Sequence, residues 1–69
     1  MDRNSFRAAL AQAGYTQSDL AKALNMAEST MVRKIKNNSF SIDQAEEIGK
    51  ILGLSITRLG EIFFDHKVT

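Results

Sequence analysis

The polar and charged side chains between residues 28 and 38 are the part of the chain best suited to chemical recognition. On a helical wheel of 100° per residue, one face of a predicted helix carries polar side chains, namely Ser29, Arg33 and Lys36. The opposite face carries Met31 and Ile35, and Val32 lies beside the polar residues. Such a face can donate hydrogen bonds and attract an anion, although an ordinary solvated helix surface has the same composition.

Residues that could catalyse a reaction or bind a metal are scarce. The chain contains no Cys and a single histidine, His66, so neither a cysteine nucleophile, a Ser–His–Asp set nor a Cys or His metal site is expected. His66 is interpreted as an incidental polar residue near the end of the chain. There is no glycine-rich loop that could hold a phosphate, and the carboxylates are scattered. We therefore expect a protein that is not an enzyme, with no cofactor, no metal and no small-molecule substrate.

The length and composition indicate one small helical domain covering residues 1–69. The chain has no Pro and only four Gly, and its β-branched residues do not form alternating runs, which favours helices. The amino-terminal segment is polar, unlike a signal peptide. No apolar run approaches the roughly 18 residues of a membrane span, so we expect a soluble intracellular protein that does not bind a membrane.

The charge is distributed unevenly along the chain. Residues 1–40 carry six basic and three acidic side chains, a balance of +3, whereas residues 41–69 carry three basic and five acidic ones, a balance of −2. A polyanion would therefore be attracted to the amino-terminal half.

Apolar spacing and capping residues predict an all-α fold of five helices at about residues 5–13, 17–24, 28–36, 42–52 and 56–63. N-caps are expected at Thr16, Ser41 and Ser55, and two of these caps belong to capping boxes, Thr16 with Asp19 and Ser41 with Gln44. Left-handed residues are expected after three helices, at Gly14, Asn25 and Gly53. The core is expected to take one stripe of the last helix, made of Ile56, Leu59, Ile62 and Phe63.

Residues 17–36 meet the mechanical requirements of a helix-turn-helix. The second and third predicted helices are separated by only about three residues, so they must cross steeply. Apolar side chains are available to fill the angle between them: Leu20, Leu24, Met26 and Met31. Ala21 is small enough for the helices to approach closely, and Asn25 can take the backbone through the corner.

The same stretch resembles the lambdoid-type phage repressor and Cro family, also called the xenobiotic-response-element family of bacterial regulators. The matching motif is TQxxLAxxL-N-M-xxSTM, starting at Thr16, followed by a capped fourth helix and an LGLSI…L…IFF ending. The resemblance covers about residues 6–64 and implies a compact five-helix domain that binds duplex DNA. The chain departs from the family at Asn25, where glycine is usual, and at Lys34, where an apolar residue is usual. A phage-regulator subgroup reading STxxRKxxN shares the second departure, which bears on how the third helix is rotated.

The resemblance implies roles for eight residues. Contacts to bases in the major groove are implied for Gln17, Glu28, Ser29 and Arg33, with a phosphate as the alternative for Gln17. Contacts to backbone phosphates are implied for Thr30, Lys36, Asn37 and Asn38. The chemistry agrees, since Arg pairs with guanine, Glu accepts from cytosine, and Lys holds phosphates without reading sequence. Simpler roles remain open: Glu28 could only complement the helix dipole, Ser29 could be a spare cap, and the two asparagines could only form a turn.

The resulting hypothesis is a Cro-like phage repressor that occupies a palindromic operator in the cytoplasm of a bacterial host cell. A chain of 69 residues leaves no room for an effector-binding or self-cleaving domain, which favours Cro over a full-length repressor. The alternative is an antitoxin-type or other protein-interaction module of the same fold. A weak homodimer is expected through the last helix and the tail, with Phe64 as a contact. The alternative for Phe64 is that the chain turns and buries it in the core.

Overall fold

The computed structural model describes residues 1–64, which form five helices joined by short loops and contain no strand. These are α1 (Arg3–Ala13), α2 (Gln17–Ala23), α3 (Glu28–Asn37), α4 (Ile42–Leu52) and α5 (Ile56–Phe63). The all-α prediction is confirmed, and the bounds agree closely with those expected. His66 and the rest of the tail lie outside the described residues. Within residues 1–64, no helix is both long enough and apolar enough to cross a membrane.

The predicted helix ends are confirmed by their capping geometry. Thr16 and Asp19 form a reciprocal capping box, with bonds of 2.9 and 3.0 Å, and Ser41 and Gln44 form a second one. The Ser55 hydroxyl accepts the Arg58 amide at the start of α5. Left-handed backbone occurs at the three predicted places: Gly14, Asn25 and Gly53, with φ of 74°, 56° and 70°.

The start of α1 is the clearest difference from the predicted bounds. The helix begins at Arg3, two residues earlier than expected, because the Asp2 side chain accepts the backbone amide of Ser5 at 3.1 Å. A carboxylate cap of this kind satisfies one of the otherwise unpaired amides of the first turn. The backbone amide of Asp2 in turn donates to the carbonyl of Ile62 at 3.0 Å, which ties the start of the chain to α5.

Every helix contributes one large, fully buried side chain to a common core: Phe6, Leu20, Met31, Ile48 and Ile62. The rings of Phe6, Phe40 and Phe63 pack against one another with centroids 5.6 to 6.5 Å apart, within the usual range for aromatic pairs. The buried cluster therefore joins all five helices, and its three rings lie on α1, on α5 and in the segment between α3 and α4.

The predicted stripe of α5 is wrong at its first residue. Ile56 is 90% exposed, while Ile62 and Phe63 are buried and Leu59 is partly buried. Ile56 opens the helix where α5 has not yet reached the core, so helical spacing alone does not bury it. Leu59 packs over Gly49 of α4, where an added Cβ would lie 3.2 Å from its methyl groups.

Phe64 follows α5 and is 50% exposed. The alternative in which the chain turns and buries this ring in the core is therefore not what the structure shows.

Candidate nucleic-acid interface

The turn between α2 and α3 is held by backbone hydrogen bonds around Asn25. The Asn25 amide donates to the Lys22 carbonyl at 3.0 Å, and the Met26 amide donates to the Ala21 carbonyl at 2.9 Å. The left-handed conformation of Asn25 reverses the chain where most residues would be strained. Ala21 is buried between the helices. This turn fixes α3 across α2 and leaves one side of α3 in solvent.

The rotation of α3 follows from its two core residues. Met31 is fully buried and Ile35 is 7% exposed, so both face inward as the periodicity predicted. Lys34, where the family usually has an apolar residue, is half-buried and its Nζ donates to the Ser39 carbonyl at 3.3 Å. That bond places a cation at the carboxyl-terminal end of α3, where it favours the helix dipole. The buried apolar residue that the family usually has at position 34 is therefore replaced in this chain by Ile35, one residue later.

Most of the site residues predicted from the sequence lie on the solvent-facing side of α3 or at its carboxyl-terminal end. Those that are exposed are Glu28, Ser29, Arg33, Lys36, Asn37 and Asn38, while Gln17 and Thr30 are partly buried. Glu28 and Ser29 belong to the first turn of α3, which starts after Ala27 without a side-chain cap. The missing cap costs the helix start about 1 kcal/mol.

One cleft is lined by side chains of α1, α2 and α3. It is lined by Arg3, Arg7, Gln17, Val32, Ile35 and Lys36. Gln17 and Lys36 thus lie at the same place on the surface, although 19 positions separate them in the chain. The two arginines of α1 were not among the predicted site residues, and the positive balance of residues 1–40 was the only signal that pointed to them. Val32 is 51% exposed, an apolar side chain on an otherwise polar face.

Asn38 lies in the turn after α3, and its side chain also makes a contact that the sequence did not indicate. It ends α3 in the left-handed conformation, with φ of 50°, and its side-chain amide donates to the Phe63 carbonyl at 3.2 Å. Its side chain remains exposed. Contacts of Asn37 and Asn38 with phosphates stay predictions.

The basic side chains of α3 have no ion-pair partner among residues 1–64. The ion pair found within residues 1–64 joins Arg58 and Glu61 of α5 at 3.7 Å, away from α3. Hydrogen bonds from the backbone and side chain of Thr16 lower the pKa of Asp19, and those from Ser5 lower the pKa of Asp2. Two of the acidic residues in the amino-terminal half are thus engaged in caps. In the part of the chain that the structure describes, no group of three or more His, Cys, Asp or Glu side chains could hold a metal ion.

Comparison with known proteins assigns this arrangement to a family. Neither a curated protein nor a solved structure gives a significant match to the chain. A family model described as the bacteriophage CI repressor helix-turn-helix domain matches residues 8–60, which run from α1 into α5 and include all of α2 and α3. Because the match spans most of the 69 residues, the chain belongs to the bacteriophage CI repressor helix-turn-helix family of DNA-binding regulators.

Proposed function

We propose that this protein regulates transcription by binding a palindromic operator in duplex DNA with α3 in the major groove, as a Cro-like phage repressor does. The observation that carries the proposal is the orientation of α3. Two of its apolar side chains, Met31 and Ile35, are buried in the domain, and its outer face offers Ser29, Arg33 and Lys36 to solvent. A helix of this width fits the major groove, where each base pair presents its own pattern of donors and acceptors.

The first two turns of α3 supply the proposed base contacts. Arg33 can donate two hydrogen bonds to guanine O6 and N7, Glu28 can accept from cytosine N4, and Ser29 can bond either kind of edge. Gln17, at the start of α2, lies beside α3 in the shared cleft, where it can contact a phosphate or an end base pair.

Val32 adds a contact of a different kind. Its side chain is 51% exposed between polar neighbours and gains nothing from water. The only apolar group that the major groove presents is the thymine C5-methyl. Val32 is therefore proposed to favour thymine at one position of the operator.

The phosphate contacts are assigned to Thr30 near the start of α3 and to Lys36, Asn37 and Asn38 at its end. Lys36 is exposed and supplies a positive charge, and Thr30, Asn37 and Asn38 supply uncharged hydrogen-bond donors. Contacts of this kind fix the register of the protein on the duplex without reading its sequence.

A weak homodimer is proposed because one recognition helix reads too few base pairs to find a site in a genome. Proteins of this class read two half-sites about 34 Å apart. A small cleft of about 120 Å³ adjoins the end of α3 and is lined in part by Asn38, Phe40, Ile42 and Phe64. Ile42 and Phe64 are 67% and 50% exposed, so a second copy of the chain could cover both side chains.

The test is selection of bound duplexes from random sequence, followed by a salt titration. A palindromic consensus is expected, with an affinity that falls steeply with salt because each neutralised phosphate contributes a slope of about −0.9. Equal binding to selected and random duplexes at every salt concentration would overturn the proposal. Tight co-purification of a protein partner together with that result would favour a protein-interaction module.

A further inference from the structure

The cleft beside α3 has a composition that the proposed base and phosphate contacts do not explain. It has a volume of about 160 Å³ and combines side chains from three helices. Arg3 and Arg7 of α1 line the cleft together with Lys36 of α3, and the other lining residues are Gln17, Val32 and Ile35. Arg3 and Arg7 are four residues apart, so they share one face of α1. The structure thus brings three cations from two helices to one small cleft.

No carboxylate compensates these cations within residues 1–64. The residues lining the cleft include no Asp or Glu, and none of its basic groups has a carboxylate oxygen within 4 Å. Asp2, next to Arg3 in sequence, is engaged elsewhere: its Oδ1 accepts the Ser5 amide at 3.1 Å and its Oδ2 accepts the Ser5 hydroxyl at 2.8 Å. Three cations at one cleft repel one another and attract an anion, and no side chain of residues 1–64 supplies that anion.

Resting on the proposed function, we propose that Arg3, Arg7 and Lys36 hold a phosphodiester of the DNA backbone in this cleft. Two arguments favour a backbone phosphate. The planar guanidinium of Arg pairs with two phosphate oxygens at once. The site also lies directly beside the α3 face that would enter the groove, so a duplex docked on α3 brings its flanking strand to α1. The contact anchors α1 to the same duplex and thereby fixes the tilt of α3 without reading a base.

The site is tested with the double variant Arg3→Gln/Arg7→Gln, which keeps the length of the side chains and good helix formers. Its binding to the selected operator is compared with that of the wild type across a range of salt concentrations. Each half-site loses the neutralisation of one phosphate at most, so the slope of log affinity against log salt should fall by up to about 0.9 per half-site, and affinity should fall by up to about eightfold per half-site at 0.1 M salt. The selected consensus should remain unchanged.

The matched control is Lys50→Gln/Arg58→Gln, which removes the same charge from α4 and α5. Lys50 and Arg58 do not line the cleft, so the control should keep the wild-type slope. An equal loss in both double variants would mean that only net charge matters, and the cleft proposal would be wrong. Thermal unfolding followed by circular dichroism establishes that both double variants are folded.

A second measurement locates the phosphate itself. Operators carrying a single methylphosphonate, which lacks the phosphate charge, are scanned position by position. At one position per half-site the wild type should lose clearly more affinity than Arg3→Gln/Arg7→Gln, which keeps only Lys36 at the site. If no position shows this coupling while Arg33→Ala still changes the selected consensus, the cleft proposal fails and the proposed function stands. If the wild type selects no sequence, the proposed function itself fails.

Discussion

The side-chain amide of Asn38 donates a hydrogen bond of 3.2 Å to the backbone carbonyl of Phe63 and so joins the end of α3 to the end of α5. The two residues are 25 positions apart. Phe64, the next residue, lines the same small cleft as Asn38. The orientation of the proposed recognition helix is therefore linked to the segment that is proposed to contact a second copy of the chain.

Two substitutions at Asn38 separate this hydrogen bond from the left-handed backbone. Asn38→Gly removes the bond but tolerates a φ of 50° and should destabilise the fold by about 1 kcal/mol. Asn38→Ala removes the bond and also strains the backbone, so its cost should be about 2 kcal/mol. Urea unfolding measures both. Wild-type stability in the glycine variant would mean that the bond contributes nothing.

Arg33 and Lys36 should differ in what their loss does to binding. Arg33→Ala should cost roughly 1–3 kcal/mol and relax the preference at one base position. Lys36→Ala should weaken binding to all sequences about equally and lower the salt slope by about one. Repeating the selection and the salt titration with each variant makes the comparison. An unchanged consensus and affinity for Arg33→Ala would contradict its role as a base-reading residue.

Val32 can be tested by removing a methyl group from the DNA instead of the protein. Replacing one thymine of each half-site by deoxyuridine deletes only the C5-methyl. At the position contacted by Val32, this change should weaken the wild type by an amount on the order of one buried methyl group, about 0.8 kcal/mol, and should not affect Val32→Ala. If both proteins respond equally at every thymine, Val32 does not read a methyl.

Phe64→Ala should impair the binding of two half-sites more than it impairs folding. Phe64 is half exposed, so its truncation should cost far less than the 3–5 kcal/mol of a core Phe→Ala change. Binding to the palindrome should lose cooperativity, while binding to one half-site should be unchanged. Ile56→Ala is the matched control, because Ile56 is 90% exposed outside the proposed contact. A wild-type chain that sediments as a monomer at millimolar concentration and binds a palindrome without cooperativity would exclude the dimer.

Asp19 should make the folding stability of the protein depend on pH in acidic solution. Its hydrogen bonds with Thr16 lower its pKa below the ordinary 3.8, so the ionised form is favoured in the folded state. The stabilisation is complete above the ordinary value and is lost as the pH falls through the lowered pKa. Asp19→Asn should therefore flatten the decline in melting temperature below about pH 4. An identical decline in the wild type and the variant would show that the box does not depend on this charge.

The local features of the structure could be predicted from the sequence because each depends on residues that are close together in the chain. A capping box joins residues three positions apart, so the spacing of Thr16 and Asp19 predicts it directly. The same holds for Asn25, whose tolerance of left-handed backbone marks the corner. Met31 and Ile35 are one helical turn apart, and their spacing predicted the inner face of α3 correctly. These features, together with the motif that begins at Thr16, predicted the helix-turn-helix and its family.

What the sequence did not show are contacts between residues far apart in the chain. Periodicity placed Ile56 in the apolar stripe, but the residue lies where α5 has not reached the core. Nothing near Asn38 in the chain indicates that Phe63 accepts its hydrogen bond, and nothing near Arg3 indicates that it shares a cleft with Lys36. Helix crossings place these groups, and the crossings depend on how buried side chains from all five helices fit together. A period along one helix tells which face turns inward, whereas only the packed core decides which residues of different helices meet.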